Sequence, residues 1–487
     1  MADIKRLATI AARIILLMAI GRVQAQSPPV SPDRPWHSPD ERQVVTDARS
    51  FHSPAFRTEP ERVYSLAELI DLAEDHNPET RVAWESARAQ TAALGIARSE
   101  LFPTLAALAL AGVDRTEAGF GPQFFRETLP KLQLSLNLSY TIFDFGARRG
   151  RINAESARLL DSILGFNDVH RQLIYDVSLA YYRLLSAAGQ EEAAGASLVN
   201  AQAVQQAAEE RLRNGLATLP DVLEARSATA QAQYNLQAVL GVEQVARGDL
   251  ATALGTSAST RIRVQPLNDV PVPEKATDTE EQAVLHALEQ RPDLQAQVAR
   301  IRLAQAEHQE ARGAYYPDLT LNAGTSVQSL YILQQTLPWG HTADLTGGVS
   351  LSLNWTIFDG GARRSRLAQA EAHIREAQAK VSAARDRIED QVWTAYSNLN
   401  TAFRQREAAA ALMTAATQSY SAALESYNYG VRNLLDVTNA QKVLAQARST
   451  DIQARTQVLA ALADLAFRTG DAIQTNARQT NTRKTGP

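Results

Sequence analysis

The chain has no cysteine. Disulfides, thiolate metal sites and lipidation of an N-terminal cysteine are therefore excluded. Methionine occurs only three times in 487 residues, so no soft-ligand metal site is on offer. Aromatics are sparse and alanine and glutamine abundant, which suits long helices packed closely. The net charge of −4 leaves no nucleic-acid footprint. The eight histidines are scattered, with no H-x-x-x-H or H-E-x-x-H, and no G-x-S-x-G or Walker loop occurs. The sequence thus predicts no enzyme, no cofactor and no metal site.

Long apolar runs are also missing. Lys5, Arg6 and Arg13, then Ile14 to Ile20, then Val23-Gln24-Ala25 read as a signal peptide over 1–25, cleaved after Ala25. Its removal takes away a net +3 and carries the charge from −4 to −7. No later stretch approaches the ~18 apolar residues of a membrane helix. If the mature chain spans a bilayer, it does so with strands.

What is present is a doubled pattern. Leu132 to Arg151 reads LQLSLNLSYTIFDFGARRGR, and Leu345 to Arg366 reads LTGGVSLSLNWTIFDGGARRSR. In the first, Leu134, Leu136 and Leu138 alternate with Ser135 and Asn137. In the second, Leu351, Leu353 and Trp355 alternate with Ser352 and Asn354. A period of two gives one apolar and one neutral polar face. A soluble antiparallel edge strand would also read this way. Two charge-free copies, each running into a long helix, favour strands of a barrel with lipid on the apolar side and water inside.

The landmarks repeat at fixed offsets. Arg291-Pro292 answers Asn77-Pro78, and Tyr316-Pro317 answers Phe102-Pro103, both 214 residues on. Asp359 answers Asp144 and Gly430 answers Gly215, both 215 on. Sevenfold spacing (Ile152, Leu159, Phe166, Leu173; Leu367, Ile374, Val381, Ile388) predicts helices of ~100 Å. The expected order is a Pro-rich tail over 26–62, a first repeat over 63–256, a linker over 257–280, a second repeat over 281–470 and a polar tail over 471–487. Strands are expected at about 104–113, 132–143, 318–328 and 345–358. Helices are expected at about 145–213, 216–254, 360–429 and 432–469. Leu108 and Leu110 would fall on the wet face if the first strand keeps its partner's register. Phe102, Phe143, Tyr316 and Phe358 sit at strand–helix junctions, as a membrane-interface girdle or as core packing. Four strands cannot close a barrel and open edges are not tolerated in lipid, so several chains must share one barrel.

At this point the residues resemble a known family, the outer-membrane efflux proteins, or TolC-like channel-tunnels, of Gram-negative bacteria. The likeness covers about 63–470. It rests on the doubled F-D-x-G-A-R-R and on two turn motifs, Arg211-Leu-Arg-Asn-Gly-Leu216 with Asp221-Val222, and Ser426-Tyr-Asn-Tyr-Gly-Val-Arg432 with Leu435-Asp-Val437. The resemblance implies a mainly α fold with membrane β, assembled as a homotrimer. A 12-stranded barrel in outer-membrane lipid would join a long periplasmic α-helical barrel. It implies passive export through an outer-membrane duct, with a periplasmic adaptor protein and an inner-membrane pump of the RND or ABC type as partners. By motif position it assigns Asp221, Tyr427, Arg432 and Asp436 to a gate at the periplasmic tip, and Gly215, Leu216, Gly430 and Val431 to turns where an adaptor docks. Asn439 stands where the family often has an acidic-ring aspartate. Physics alone offers Asp221 and Asp436 as helix caps and both glycines as helix C-terminal turns. Two rival functions fit the same pattern: a type I secretion conduit for polypeptides, and a strand-anchored coiled-coil surface protein.

Overall fold

The computed structural model describes residues 41–50, 62–120, 123–275, 279–334 and 340–471. The expected signal peptide, most of the 26–62 tail and nearly all of 471–487 lie outside them. One short helix, α1 (Glu41–Ser50), belongs to a separate N-terminal unit.

In the main unit the first repeat runs β1 (Val63–Tyr64), α2 (Leu66–His76), α3 (Pro78–Ser99), β2 (Thr104–Phe120), β3 (Gln123–Phe143), α4 (Ala147–Arg213) and α5 (Leu219–Ala253). After β4 (Arg263–Val264) the second runs α6 (Glu280–Gln290), α7 (Pro292–Gly313), β5 (Asp318–Gln334), β6 (Gly340–Asn354), α8 (Ala362–Asn428) and α9 (Leu434–Thr469). The helix starts follow local chemistry. Ser65 and Glu68 form a capping box, with the Ser65 amide 2.9 Å from the Glu68 carboxylate. Asn77 caps α3, accepting from the Glu79 amide at 2.8 Å, with Pro78 at the first helical position.

The doubled F-D-x-G-A-R-R proves to be a strand-to-helix corner. Asp144 accepts from the Gly146 and Arg148 amides at 3.3 and 2.8 Å, and Asp359 from Gly361 and Arg363 at 3.1 and 3.0 Å. Gly146 and Gly361 take φ of +91° and +88°, which only glycine adopts cheaply. Each aspartate also pairs with the arginine four residues on.

The four long strands form one antiparallel sheet in the order β2-β3-β5-β6, open at both edges. Its register aligns the apolar rows. Leu136 stands opposite Ala107 and Thr325, and Leu321 opposite Tyr140 and Leu351. Leu134, Leu138 and Leu353 lie on the same face, while Leu108 pairs with Ser135 and Leu110 with Gln133 on the polar face.

Three details differ from the sequence expectation. The β2–β3 hairpin extends well past residue 113, because backbone pairing continues through the charged residues Asp114, Arg115 and Glu117. A ladder needs only backbone partners, not apolar side chains. The last strand stops at Asn354, so Trp355 is not a strand residue. Its indole donates to the Tyr315 carbonyl at 3.3 Å, tying the corner instead. The segment 257–275 is no free linker. β4 pairs with β1, and Ile262 and Leu267 bury in the main core with Leu69, Val177, Tyr181, Leu184 and Leu250. Extended chain packs as well as helix where its apolar side chains face a groove.

Candidate functional site

The far ends of the long helices make the candidate site. Both helix ends close by the same device. The Leu216 amide donates to the Arg211 carbonyl at 2.8 Å and Gly215 to Leu212 at 3.0 Å. Val431 donates to Ser426 at 2.8 Å and Gly430 to Tyr427 at 2.9 Å. This pair of bonds is a Schellman turn, which needs a left-handed residue; Gly215 and Gly430 supply it at φ +72° and +77°. The turns push their apolar residues outward. Leu216 is 67% exposed, Val431 78% and Tyr429 85%.

The returning helices start differently. Thr218 donates its amide (2.8 Å) and hydroxyl (2.7 Å) to Asp221, whose carboxyl these bonds hold below its usual range. Asp221 is thus a cap. In the second turn the cap is Asn433, which accepts from the Asp436 amide at 3.0 Å. That leaves the Asp436 carboxylate facing Arg432, at 4.0 Å. Of the two aspartates assigned to the gate, Asp436 faces Arg432, while Asp221 is engaged with Thr218.

Tyr427 is buried among Val204, Ala208, Val222, Leu434 and Val437. Burial pushes its phenol upward, and its hydroxyl has no hydrogen-bond partner among the described residues. What joins the two turns is Arg211, a role the sequence did not disclose. Its guanidinium lies 4.7 Å from the Tyr427 ring centre and donates to the carbonyls of Tyr427 (3.0 Å) and Asn428 (3.4 Å). A cation there satisfies the bare C-terminal carbonyls of α8 and its dipole. A basic residue in the last turn of α4 is an ordinary C-terminal signal, but nothing local says that it serves a helix end 216 residues away. Thr438 adds a second tie, donating to Glu224 at 3.1 Å.

Arg211→Ala should loosen the last turn of α8. Losing two hydrogen bonds from a charged donor costs about 1.5–3 kcal/mol. Amide exchange over 425–432 should therefore speed up by roughly tenfold or more. Unchanged protection would make the contact incidental.

Among the described residues no cluster could hold a metal, and no helix is long and apolar enough to cross a membrane.

Comparison with known proteins agrees over most of the chain. A family model described as "Outer membrane efflux protein" matches residues 69–256 and 284–471. Protein CyaE of Bordetella pertussis is 29% identical over 409 residues, 82% of this chain and 83% of that protein. Outer membrane protein OprJ of Pseudomonas aeruginosa is 26% identical over 405 residues, 82% of each. A crystal structure of a membrane protein from Pseudomonas aeruginosa superposes with a TM-score of 0.72 at 25% identity, covering 84% of this chain and 90% of that one.

Proposed function

Since the chain belongs to the outer membrane efflux protein family, we propose that it is the outer-membrane exit duct of a tripartite efflux system. It resides in the outer membrane and carries small molecules passively. The observation that carries this reading is the sheet. A largely apolar face runs across four strands, with Thr325 among its residues, and both edges are left open. In lipid such edges must be paired, so copies close one barrel, three copies giving 12 strands. OprJ is named an outer membrane protein, which fits the same location. The helices continue the conduit into the periplasm.

The exposed Leu216 and Val431, held out by the Gly215 and Gly430 turns, are the docking knobs for a periplasmic adaptor, itself joined to an inner-membrane pump. At the tip, Arg432 and Asp436 form a weak tie. An exposed pair contributes about 0.2–1 kcal/mol, and repeated around a ring it biases a gate that an adaptor can release. The unpartnered Tyr427 hydroxyl is available for a bond that forms only in the assembled ring; Asp221 contributes as the cap that sets the start of α5.

Planar-bilayer recording tests both levels. Protein extracted from outer membranes should give discrete channels, and Arg432→Ser with Tyr427→Phe should raise their conductance while the oligomer stays intact. No channel activity from inserted wild-type protein would reject the duct. Wild-type conductance in the double variant would reject only the gate.

A further inference from the structure

The wet face of the sheet is neutral and polar on three of its strands. β3 presents Gln133 and Ser135 there, β5 Ser326 and Gln328, and β6 Thr346. β2 departs from this. Its wet face between Thr104 and Asp114 carries Ala106, Leu108, Leu110 and Gly112, with no polar side chain among them. Leu108 is 56% exposed and Leu110 42%. The duplication supplies an internal comparison. At the offset of 214, Leu108 and Leu110 answer to Asn322 and Gly324 of β5. The same place in the sheet therefore forms without an apolar side chain. Nor do the leucines plug the barrel. Eight strands give an interior that side chains just fill, and twelve give a wider one. An apolar surface left in a wet passage marks a place where something apolar is met.

The charge at this level is one-sided. Leu110 lies in a row across the sheet with Gln133, Gln328 and Asp344. In the next row outward, Lys131 is neutralised by Asp114 at 2.5 Å. Asp344 is exposed and meets no cation among the described residues. Three strand spacings separate it from Leu110, at most about 14 Å, and barrel curvature and side-chain length shorten the gap.

Resting on the duct reading, we propose that Leu108, Leu110 and Asp344 form a stopping place on the inner wall of the barrel for organic cations with an alkyl or aromatic body. The leucines take the apolar body out of water, and the carboxylate attracts the positive end. The neutral polar strands offer such a molecule neither contact. An anion with the same body meets Asp344 as a like charge. The site is shallow and open, so it binds weakly enough to let its occupant leave, which conduction requires.

Tetramethylammonium and tetrabutylammonium test this, since they share one charge and differ in apolar body. Full-length protein extracted from outer membranes is inserted into planar bilayers, and each probe is added on the side of the barrel mouth. The fall in potassium current is read relative to each channel's own current without probe. One buried methylene shifts binding about fourfold, so wild type should be blocked by tetrabutylammonium at a roughly tenfold lower concentration than by tetramethylammonium. Leu108→Ser with Leu110→Ser should bring the two probes to within about threefold of each other. Asp344→Asn should weaken both probes by the same factor. A wild-type channel indifferent to alkyl length, or a contrast that survives in the leucine variant, would overturn the site and leave the duct standing. Where that variant does not insert, Leu108→Asn with Leu110→Gly replaces it, carrying the residues β5 already accepts. Failure of both to insert would make the leucines structural and reject the site. Inserted wild-type protein that conducts no current would reject the duct and the site together.

Discussion

Asp293→Asn is expected to destabilise the chain by about 3 kcal/mol, the lower edge of the range for breaking a buried ion pair. Asp293 itself is partly exposed, but the two arginines it serves are not. Arg291 donates to it twice, at 3.0 and 2.6 Å, a bidentate pair, and Arg171 stands 3.8 Å away. Both guanidiniums also hold the end of α9. Arg291 reaches Gln391 at 2.9 Å and the Arg468 carbonyl at 3.4 Å, and Arg171 donates to the Phe467 carbonyl while lying 4.2 Å from the Phe467 ring centre. Removing the carboxylate leaves two buried cations with one counter-charge, Asp168, between them. Burial pushes the Asp293 carboxyl upward, but the Arg291 bonds and the charges of both arginines outweigh it and hold it below the usual range. A depressed carboxyl stabilises above its unfolded pKa of ~3.9 and loses that contribution as pH falls through the folded value. Guanidinium unfolding of detergent-extracted protein, followed by circular dichroism, should show the deficit at pH 7. Wild type and variant should converge only in acid, as the pH falls below the usual carboxylate range and the folded carboxyl takes up its proton. Equal stabilities at pH 7 would mean that solvent already supports the arginines.

Leu136→Arg is expected to block barrel insertion. Leu136 lies well inside β3, on the apolar face between Ala107 and Thr325. An arginine facing lipid near the midplane costs about 2–4 kcal/mol, incurred once in every copy of the barrel. Leu353 is one residue from the end of β6, where the cost falls to about 0–1 kcal/mol, so Leu353→Arg should insert more readily. Ser135→Arg and Ser352→Arg, on the wet face, should assemble and change conductance instead. Heat-modifiable oligomer on a gel of outer-membrane fractions reads the first effect and bilayer recording the second. If Leu136→Arg assembles as well as Ser135→Arg, the two faces have been assigned the wrong way round, or the sheet is not in lipid.

Much of this protein is written in short-range pattern. Alternation along Leu132 to Ile142 made a strand, because side chains on a pleated backbone must alternate. Asp144 with Gly146, and Gly215 and Gly430, marked helix ends, because caps and left-handed turns are chosen by residues within reach of one another. Duplication was legible because its landmarks recur at offsets of 214 and 215, and with it came the need for shared barrel edges. The tertiary structure decided whatever depends on a partner distant along the chain. Arg211 reads as a helix-end cation until the fold sets it under Tyr427. Asp221 and Asp436 occupy matching positions, yet Thr218 engages the first while Asn433 frees the second to meet Arg432. The proline-rich 257–275 stretch looks like a linker, yet Ile262 and Leu267 find a groove between helices that only the folded repeat creates. The two arginines around Asp293 come from different repeats, so no spacing in the sequence announces them. Local sterics and periodicity act before the chain folds; these contacts exist only once helices far apart in sequence lie side by side.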